Sequence, residues 1–470
     1  MDERHIVAID LGTSKFALSV AKVSGDDVQI IYYRETPAEG IRNSRVFNPK
    51  KVSVALGTAI NTAESELGIK IRQVIVGKPK YDIRQVTAQM QVERNENECI
   101  TEEEIANMKS DALETYPLED PDHEELFGAV AQSFSDGEEF QLVENDIIGM
   151  ACPKIEGNFK VFIGKSSAVS GIEKAFNLIG VKVAKQYFTP DYTAKAVLYD
   201  AEMENGVALI DFGAGATSLS IYYGNVMRYY AAIPFGGDTI TKDIKSECTI
   251  SEQLAENIKL AFGACMPDKL QSLSEKVIQI NSNSAAPVKQ LSVKYLSEII
   301  TARVKEIIDG ILYEIQQSGF ADSLKSGIVL TGGCANLVNC SNYVKEISGY
   351  NVRTGYPKHL FSASGCEGVY DSSAAVIIGM MNAARLERSL NCTCVPAKPE
   401  AVQVKEETPA VTVSETPADN GTLFRSEEIE VVSQPKKPVK KKGITWFDRF
   451  KKGTAEVVGS LYDTMTNEEA

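Results

Sequence analysis

The stretch VALIDFGAGATSLSIY, residues 207–222, decides the fold. An apolar run ends in Asp211, a Gly-rich turn follows, and an alternating strand resumes, which is the pattern of a β-hairpin. Glycines in such a turn adopt backbone angles closed to other residues, so successive N–H groups can point at one anion. A carboxylate at the mouth of the turn can hold a divalent cation through water. The stretch therefore predicts a site for a metal-bound phosphate, although a single Gly-rich hairpin is more often a plain turn.

A second copy of this layout lies near the N-terminus. Residues 6–20 read IVAIDLGTSKFALSV, in which Asp10 and Gly12 correspond to Asp211 and Gly213. Self-similarity at this long spacing indicates a duplicated half rather than a solenoid. Two such hairpins facing each other would hold a polyphosphate from both sides.

Length and composition bound the class of protein. A chain of 470 residues is too long for one core, which predicts roughly two to three domains. The net charge of −15 argues against nonspecific nucleic-acid binding. Nine Cys without a CxxC pair indicate reduced thiols, and three His follow no metal-ligand spacing. No apolar run reaches the ~20 residues that span a bilayer, so we expect a soluble protein or one bound only to a membrane surface.

Strand and helix patterns alternate along the rest of the chain. The first half is predicted to contain strands at 28–34, 74–77 and 181–188 and helices at 48–67, 168–179 and 192–199. The second half is predicted to contain helices at 251–263, 293–318 and 369–386, and a buried strand that runs into a Gly-Gly turn at Gly332 and Gly333. Between the parts of the first half, residues 81–162 predict a small inserted α+β subdomain, with Thr101 at a helix N-terminus.

The C-terminal part changes character twice. From residue 388 to 439 the chain loses periodicity and gains Pro, Glu and Thr, which predicts a disordered linker. Residues 440–470 predict an amphipathic helix that binds an anionic membrane surface. Its apolar face is Trp446, Phe447, Phe450, Val457 and Leu461, and its cations are Lys441, Lys442, Arg449, Lys451 and Lys452. The alternative is a helix that docks on a protein.

Three motifs therefore stand in order: DLGTSK at 10–15, DFGAGAT at 211–217 and LTGG at 330–333. Together they resemble the two phosphate loops and the adenosine motif of the actin-like ATPase superfamily. Within this superfamily, the chain is similar to the FtsA family of bacterial division proteins. Further segments that carry this similarity are IPFGGD at 233–238, AENIK at 255–259 and GIVLTGG at 327–333. The resemblance covers residues 1 to about 385 and the C-terminal tail.

The resemblance implies an α/β actin-like ATPase fold with two related domains around a nucleotide cleft. Its domains would be 1A (1–80 and 163–200), an inserted 1C-like subdomain (81–162) that contributes to self-association, and a second half (201–387) with 2B at about 235–321. It also implies ATP and Mg²⁺ as cofactors. Implied partners are the FtsZ C-terminal tail, docking on 2B, further copies of the chain, anionic lipids and other division proteins, but no nucleic acid. The implied function is to anchor FtsZ to the cytoplasmic face of the cytoplasmic (inner) membrane at the division site, where the Z ring assembles.

The resemblance implies a role for each residue that matches a motif of the family. Asp10 and Asp211 would hold Mg²⁺ through water. Phosphate contacts would come from Gly12, Thr13, Ser14 and Lys15, and from Gly213, Ala214, Gly215 and Thr217. Glu256 and Lys259 would flank the ribose and base, and Gly332 and Gly333 would allow backbone to approach the adenosine. An ordinary exposed helix pair is the alternative for Glu256 and Lys259.

Two departures from the family pattern bear on activity. Ala214 and Ala216 stand where the family usually has a further Gly or Thr, so the second loop is slightly bulkier. Thr189-Pro190-Asp191 stands where relatives often have Glu-Pro. Because hydrolysis needs a group that positions water near the terminal phosphate, we expect weak or no ATPase activity.

Three other functions compete with this one. A sugar kinase of the same superfamily needs a catalytic Asp facing the substrate hydroxyl, and no convincing candidate follows the first domain. A chaperone-type ATPase needs a β-rich peptide-binding domain, for which the chain beyond residue 386 is too short. The pilus-assembly actin homologue lacks a basic amphipathic tail.

Overall fold

Strands and helices alternate along most of the chain. The computed structural model describes residues 3–95, 97–136, 142–281, 289–394 and 428–432. Its strands are β1 (Arg4–Leu11), β2 (Lys15–Ser24), β3 (Asp27–Pro37), β4 (Ile41–Arg42), β5 (Arg45–Val46), β6 (Lys70–Ile71), β7 (Gln73–Gly77), β8 (Arg84–Glu93), β9 (Glu124–Ser135), β10 (Lys154–Lys165), β11 (Lys182–Tyr187), β12 (Val207–Phe212), β13 (Thr217–Tyr223), β14 (Val226–Ile233), β15 (Val277–Asn281), β16 (Lys289–Ser292), β17 (Gly327–Thr331), β18 (Val352–Thr354), β19 (Ser362–Ala363), β20 (Thr393–Cys394) and β21 (Glu428–Val432). Its helices are α1 (Pro49–Leu67), α2 (Glu102–Glu114), α3 (Glu144–Ile147), α4 (Ser166–Asn177), α5 (Thr189–Val197), α6 (Asp200–Asn205), α7 (Gly237–Cys248), α8 (Glu252–Phe262), α9 (Val293–Gln317), α10 (Cys340–Ser348) and α11 (Ala375–Ala384). None of these helices is long and apolar enough to cross a membrane.

Two sheets repeat one strand order. In the first, β1, β2 and β3 pair antiparallel, and β7 and then β11 add in parallel on the other side of β1. In the second, β12, β13 and β14 pair antiparallel, and β17 and then β18 add in parallel beside β12. The strands β1 and β12 therefore hold equivalent central positions. The duplication predicted from the two Asp-containing stretches is confirmed.

The central strands lie in the core of their sheets. All six residues of β12 are buried, as are residues 6–9 of β1. A strand covered on both faces has no polar face, and its sequence is then a continuous apolar run. This explains why both stretches read as four apolar residues before the Asp.

Helix α1 begins and ends where its sequence predicts. The Asn48 side chain accepts a hydrogen bond from the Lys51 amide at 3.1 Å, and Pro49 occupies the first turn. Gly68 closes the helix with φ of 65°, a left-handed conformation that favours glycine. The predicted helix over 48–67 is confirmed.

The segment between β7 and α4 has its own small core. Its strands form a sheet in the order β8-β10-β9, against which α2 packs. Phe134 and Phe159 meet edge to face inside it, with ring centroids 5.8 Å apart. Thr101 caps α2 in a capping box with Glu104, so the helix start predicted at Thr101 is confirmed.

The described residues fall into two compact units. The first comprises 3–239, 305–336 and 340–394, and the second comprises 240–304, 337–339 and 428–432. Within the second unit, an ion pair joins Arg303 to Asp243 at 2.5 Å, and Ser297 Oγ donates to the Ala264 carbonyl at 2.8 Å. The domain boundaries given by the resemblance remain predictions.

The C-terminal part differs from expectation in three places. The predicted linker starts at 388, but Cys392 is fully buried and β20 pairs with β6, so the fold continues to Cys394. Within the predicted linker, β21 pairs antiparallel with β15. The predicted helix over 369–386 begins later, as α11. The Asp371 carboxylate accepts from the Ser373 amide at 2.8 Å and so begins a separate 3₁₀ turn, Ser372–Ala374, which precedes α11. The predicted membrane helix, 440–470, lies outside the described residues.

Candidate functional site

The two carboxylates stand at matching positions of the two hairpins. Asp10 is the last residue but one of β1 and pairs across the hairpin with Ala17. Asp211 is the last residue but one of β12 and pairs with Ser218. Each hairpin then turns through its Gly-rich loop, the second closing with the Gly213 amide donating to the Ala216 carbonyl at 3.2 Å. The duplicated sequence thus places each Asp at the mouth of its loop.

The two loops come into contact at Thr13 and Gly215. A Cβ on Gly215 would lie 2.8 Å from Thr13 Cγ2 and closer still to its hydroxyl oxygen. That oxygen accepts a hydrogen bond from the Ser44 amide at 3.1 Å. Gly12 is equally constrained, since its Cβ would lie 2.5 Å from the Lys15 carbonyl oxygen. The two loops therefore approach each other only because residue 215 has no side chain, while Gly12 allows the tight turn within the first loop.

The third motif joins this site through the sheet. Strand β17 runs parallel to β12 and pairs Thr331 with Asp211. Gly332 follows with φ of 87°, and a Cβ there would lie 2.6 Å from Asp211 Oδ1. Ser372 fixes this backbone by donating to the Gly332 carbonyl at 3.0 Å. Gly333 has open space around its Cβ position, so only Gly332 is sterically required.

Lys80 completes the cluster, and sequence reasoning missed it. Its ammonium forms an ion pair with the Asp211 carboxylate. Lys80 follows β7, which runs parallel to β1, and the carboxyl ends of parallel strands meet at the same edge of a sheet. No motif marks Lys80, and only its place directly after a parallel strand next to β1 could have identified it from the sequence.

The charges of the cluster influence one another strongly. Burial raises the pKa of the Asp10 carboxyl above its ordinary value, and Asp211 adds to this effect while Lys80 opposes it. Burial acts to lower the pKa of Lys80, but the Asp211 and Asp10 carboxylates outweigh it and the pKa is raised. Lys80 therefore stays cationic, while the Asp10 carboxylate is costly to keep ionised without positive charge nearby.

Two of the predicted phosphate-binding residues have other partners. Lys15 Nζ lies 2.6 Å from Glu35 and 3.3 Å from Ser373 Oγ, on the side of β3. Thr217 is fully buried, and its hydroxyl donates to the Phe235 carbonyl at 2.8 Å. Thr217 therefore shapes the second loop, and its side chain does not face outward.

Glu256 and Lys259 lie in the second unit, where Thr241 links them. Lys259 Nζ lies 2.7 Å from Glu256 and donates to Thr241 Oγ1 at 2.8 Å, and Thr241 donates to Glu256 at 2.5 Å. The Lys259 side chain is only 7% exposed. The pair is thus a fixed, largely buried polar cluster rather than an ordinary exposed helix pair.

The acid of the Thr189-Pro190-Asp191 segment is already engaged. Asp191 accepts from the Tyr222 hydroxyl at 3.3 Å and pairs with Lys195 at 2.9 Å. Thr189 Oγ1 is buried without a hydrogen-bond partner and lines a small cavity with Lys80 and Asp211. Such a cavity, with polar walls, suits an ordered water, but it offers no carboxylate besides Asp211.

A metal at this site would depend on the two aspartates. Among the described residues, no three His, Cys, Asp or Glu side chains gather as a metal cluster. Mg²⁺ typically uses one or two carboxylates together with waters and phosphate oxygens, and Asp10 and Asp211 beside an open glycine cradle fit that set. The tail residues predicted to bind the membrane lie outside the part of the chain that the structure describes.

The sequence of the chain is similar to that of a known protein family. The chain matches the family model described as "Cell division protein FtsA" over residues 208–379. It is 31% identical to "Cell division protein FtsA" of Neisseria meningitidis serogroup B, over 83% of this chain and 92% of that protein. The corresponding Streptococcus pneumoniae protein is 28% identical, over 76% of this chain and 77% of its own length.

Among solved structures, the chain is similar to the "PilM-PilN type IV pilus biogenesis complex". The TM-score is 0.53 at 14% identity, over 80% of this chain and 98% of that one. At this identity the likeness speaks for the fold alone, and it agrees with the predicted α/β actin-like ATPase fold. The identity and coverage of the Neisseria relative establish more than the fold: the chain belongs to the FtsA family of cell division proteins.

Proposed function

We propose that this chain is an ATP-binding division protein that self-associates on the inner face of the cytoplasmic membrane and anchors FtsZ there. The observation that carries the nucleotide part is the contact between the loops at Thr13 and Gly215, with Gly332 against Asp211. Two glycine loops, each with an Asp at its mouth, meet where a polyphosphate would be held from both sides. Backbone N–H groups without side chains around them are suited to phosphate oxygens.

In this proposal Asp10 and Asp211 hold Mg²⁺ through water. The bound metal would neutralise phosphate charge and fix its orientation. The protein contributes the two carboxylates, the glycine cradle and the Lys80 ammonium. By the family resemblance alone, Glu256 and Lys259 would flank the ribose and base.

We further propose that hydrolysis is slow or absent. The Asp191 carboxylate is paired with Lys195 and accepts from Tyr222. Thr189 offers only a hydroxyl to the small cavity beside Lys80 and Asp211, and a hydroxyl is a weaker proton acceptor than the carboxylate or amide that would orient water. A phosphate-release assay that shows several turnovers per second on purified protein would overturn this part.

The attachment to FtsZ and to the membrane rests on family membership and on the sequence of the tail. FtsZ, through its C-terminal tail, would dock on the subdomain at about 235–321, and the 1C-like segment at 81–162 would join copies of the chain. The cationic, aromatic-rich tail would lie in an anionic leaflet. The linker would let the folded part and the tail occupy different depths at the membrane.

Isothermal titration of the full chain with ATP, with and without Mg²⁺, tests the nucleotide part. We expect saturable 1:1 binding that Mg²⁺ strengthens. Absence of saturable binding at millimolar ATP would refute it. ADP and GTP titrations in parallel determine whether the site selects the base and the terminal phosphate.

A further inference from the structure

Lys80 lies near both carboxylates of the site, because it forms an ion pair with Asp211 and shares a cavity with Asp10. Its side chain is only 19% exposed, and that of its ion-pair partner Asp211 is 11% exposed. Lys80 lines one small cavity together with Asp211 and another together with Asp10. The Lys80 ammonium is therefore close to both carboxylates and largely shielded from solvent.

The backbone of Lys80 is fixed on both sides. The Lys80 amide donates to Ser44 Oγ at 3.4 Å, and its carbonyl accepts from the Tyr230 hydroxyl at 2.5 Å. The Tyr230 ring packs edge to face against Phe162 and Phe188, with centroids 6.0 and 5.6 Å away. The backbone of Lys80 is thus held in place, while its side chain is flexible. The ammonium can therefore exchange one oxygen partner for another nearby without a change in the backbone.

Two ligands would compete at this point. A divalent cation and the Lys80 ammonium both require the Asp211 and Asp10 carboxylates, so each weakens the binding of the other. A phosphate oxygen, by contrast, gains a charge-assisted hydrogen bond from an ammonium. Lys15 pairs with Glu35 at 2.6 Å rather than with either aspartate, so a metal that binds the aspartates would not release Lys15 toward a phosphate.

We propose that Lys80 is the internal counter-cation of the Asp10–Asp211 pair: it competes with a divalent metal for these carboxylates and binds a phosphate oxygen of the metal-nucleotide complex. The phosphate half of this inference rests on the proposed nucleotide binding. The competition for the carboxylates does not. Lys80 would then make metal binding depend on nucleotide, since the metal alone has to displace the ammonium without offering it a new partner.

The test measures two affinities in full-length protein. Electron paramagnetic resonance measures the affinity for Mn²⁺ alone, which depends on the carboxylates. Calorimetry measures the affinity for Mg–ATP, which depends also on the phosphate contact. For Lys80→Met we expect Mn²⁺ alone to bind about tenfold more tightly and Mg–ATP to bind about tenfold more weakly, as expected for losing a charged hydrogen bond. Lys80→Arg keeps the charge and should restore both affinities to near the wild-type values.

A matched control lies two residues away. Lys78 Nζ donates to the Leu126 carbonyl at 2.9 Å and lies 3.3 Å from Glu125. Lys78→Met therefore removes the same charge without removing a partner of Asp211, and should change neither affinity by more than about twofold. If Lys80→Met proves unstable, Lys80→Gln, which keeps a donor for Asp211, serves in its place.

The outcomes separate the two proposals. Unchanged Mn²⁺ affinity in Lys80→Met, or in Lys80→Gln where that variant replaces it, refutes the counter-cation role, whatever the ATP affinity is. Unchanged Mg–ATP affinity, in a protein whose wild type binds ATP, refutes the phosphate role and leaves the proposed function standing. A wild type that does not bind ATP refutes the proposed function, while the Mn²⁺ measurement still decides the competition.

Discussion

Thr13 and Gly215 belong to different copies of the duplicated hairpin, and they meet at the centre of the site. A Cβ on Gly215 would lie 2.8 Å from Thr13 Cγ2, well inside van der Waals contact. The approach of the two loops therefore depends on one missing side chain. It also brings the first Gly-rich loop into contact with the second, which the sequence of neither hairpin alone predicts.

Gly215→Val should separate the loops and weaken ATP binding. We expect at least a tenfold loss of affinity, about 1.4 kcal/mol, because the cradle can no longer close on both sides of a polyphosphate. Calorimetry on the purified chain measures it. Gly57→Ala, a helix glycine whose Cβ would meet only Ile179 at 3.5 Å, is the control and should bind as the wild type does. Equal affinity in Gly215→Val would show that the loops do not grip the ligand together.

Gly332→Ala should lower stability, whereas Gly333→Ala should not. Gly332 has φ of 87° and its Cβ would lie 2.6 Å from Asp211 Oδ1, while a Cβ on Gly333 meets nothing within 4 Å. A strained backbone position of this kind costs about 1–3 kcal/mol. Urea unfolding of the two variants, side by side, measures the difference. Equal midpoints would mean that the close packing of Gly332 on Asp211 is relaxed in solution.

The capping box of α2 should make the inserted segment sensitive to acid. The Arg94 guanidinium, with the Thr101 amide, lowers the pKa of the Glu104 carboxyl from its ordinary value, against the opposing effect of burial. A carboxyl with a lowered pKa in the folded state contributes stability above its unfolded value of about 4.3, and that stability is lost as the pH falls through the folded pKa.

Hydrogen exchange at the first amides of α2 measures this contribution. Glu104→Gln should accelerate exchange several-fold at pH 7, and the difference from wild type should shrink below about pH 4. Glu103→Gln, an exposed neighbour in the same turn, is the control. Identical exchange in Glu104→Gln and wild type at pH 7 would mean that the Arg94 contact adds nothing to the helix.

The tail should bind anionic vesicles through its aromatic face. Deleting 440–470, or introducing Trp446→Glu or Phe450→Glu, should release the protein from such vesicles and leave ATP affinity unchanged, because each change removes or charges the inserted surface. Ala455→Glu places the same charge about 140° around the helix from Phe450 and should retain binding. Vesicle flotation measures all of these. Binding that survives the deletion would contradict the membrane role of the tail.

Local pattern was enough to predict much of the fold. Each Asp-containing hairpin is specified by a run of apolar residues, a glycine turn and an alternating strand within about twenty residues, and both form as predicted. The start of α1 at Asn48 and of α2 at Thr101 follows from capping side chains that act over three residues.

The remaining features depend on contacts between distant segments. Nothing near Lys80 indicates that it would pair with Asp211, since the two meet only when their sheets are assembled. The chain continues past the predicted end of the fold at 387 because the Cys392 amide donates to the His5 carbonyl at 2.7 Å. The motif predicts a phosphate contact for Thr217, but its hydroxyl donates to the Phe235 carbonyl. Phe235 follows β14, and only the pairing of β13 with β14 brings it close to Thr217.

The most direct test of the proposed role is co-sedimentation of FtsZ with anionic vesicles in the presence of this chain and Mg–ATP. We predict that FtsZ pellets with the vesicles only when the full-length chain is present, and that a peptide of the FtsZ C-terminal tail abolishes its recovery. FtsZ that stays in the supernatant, while the chain itself pellets with the vesicles, would contradict the account.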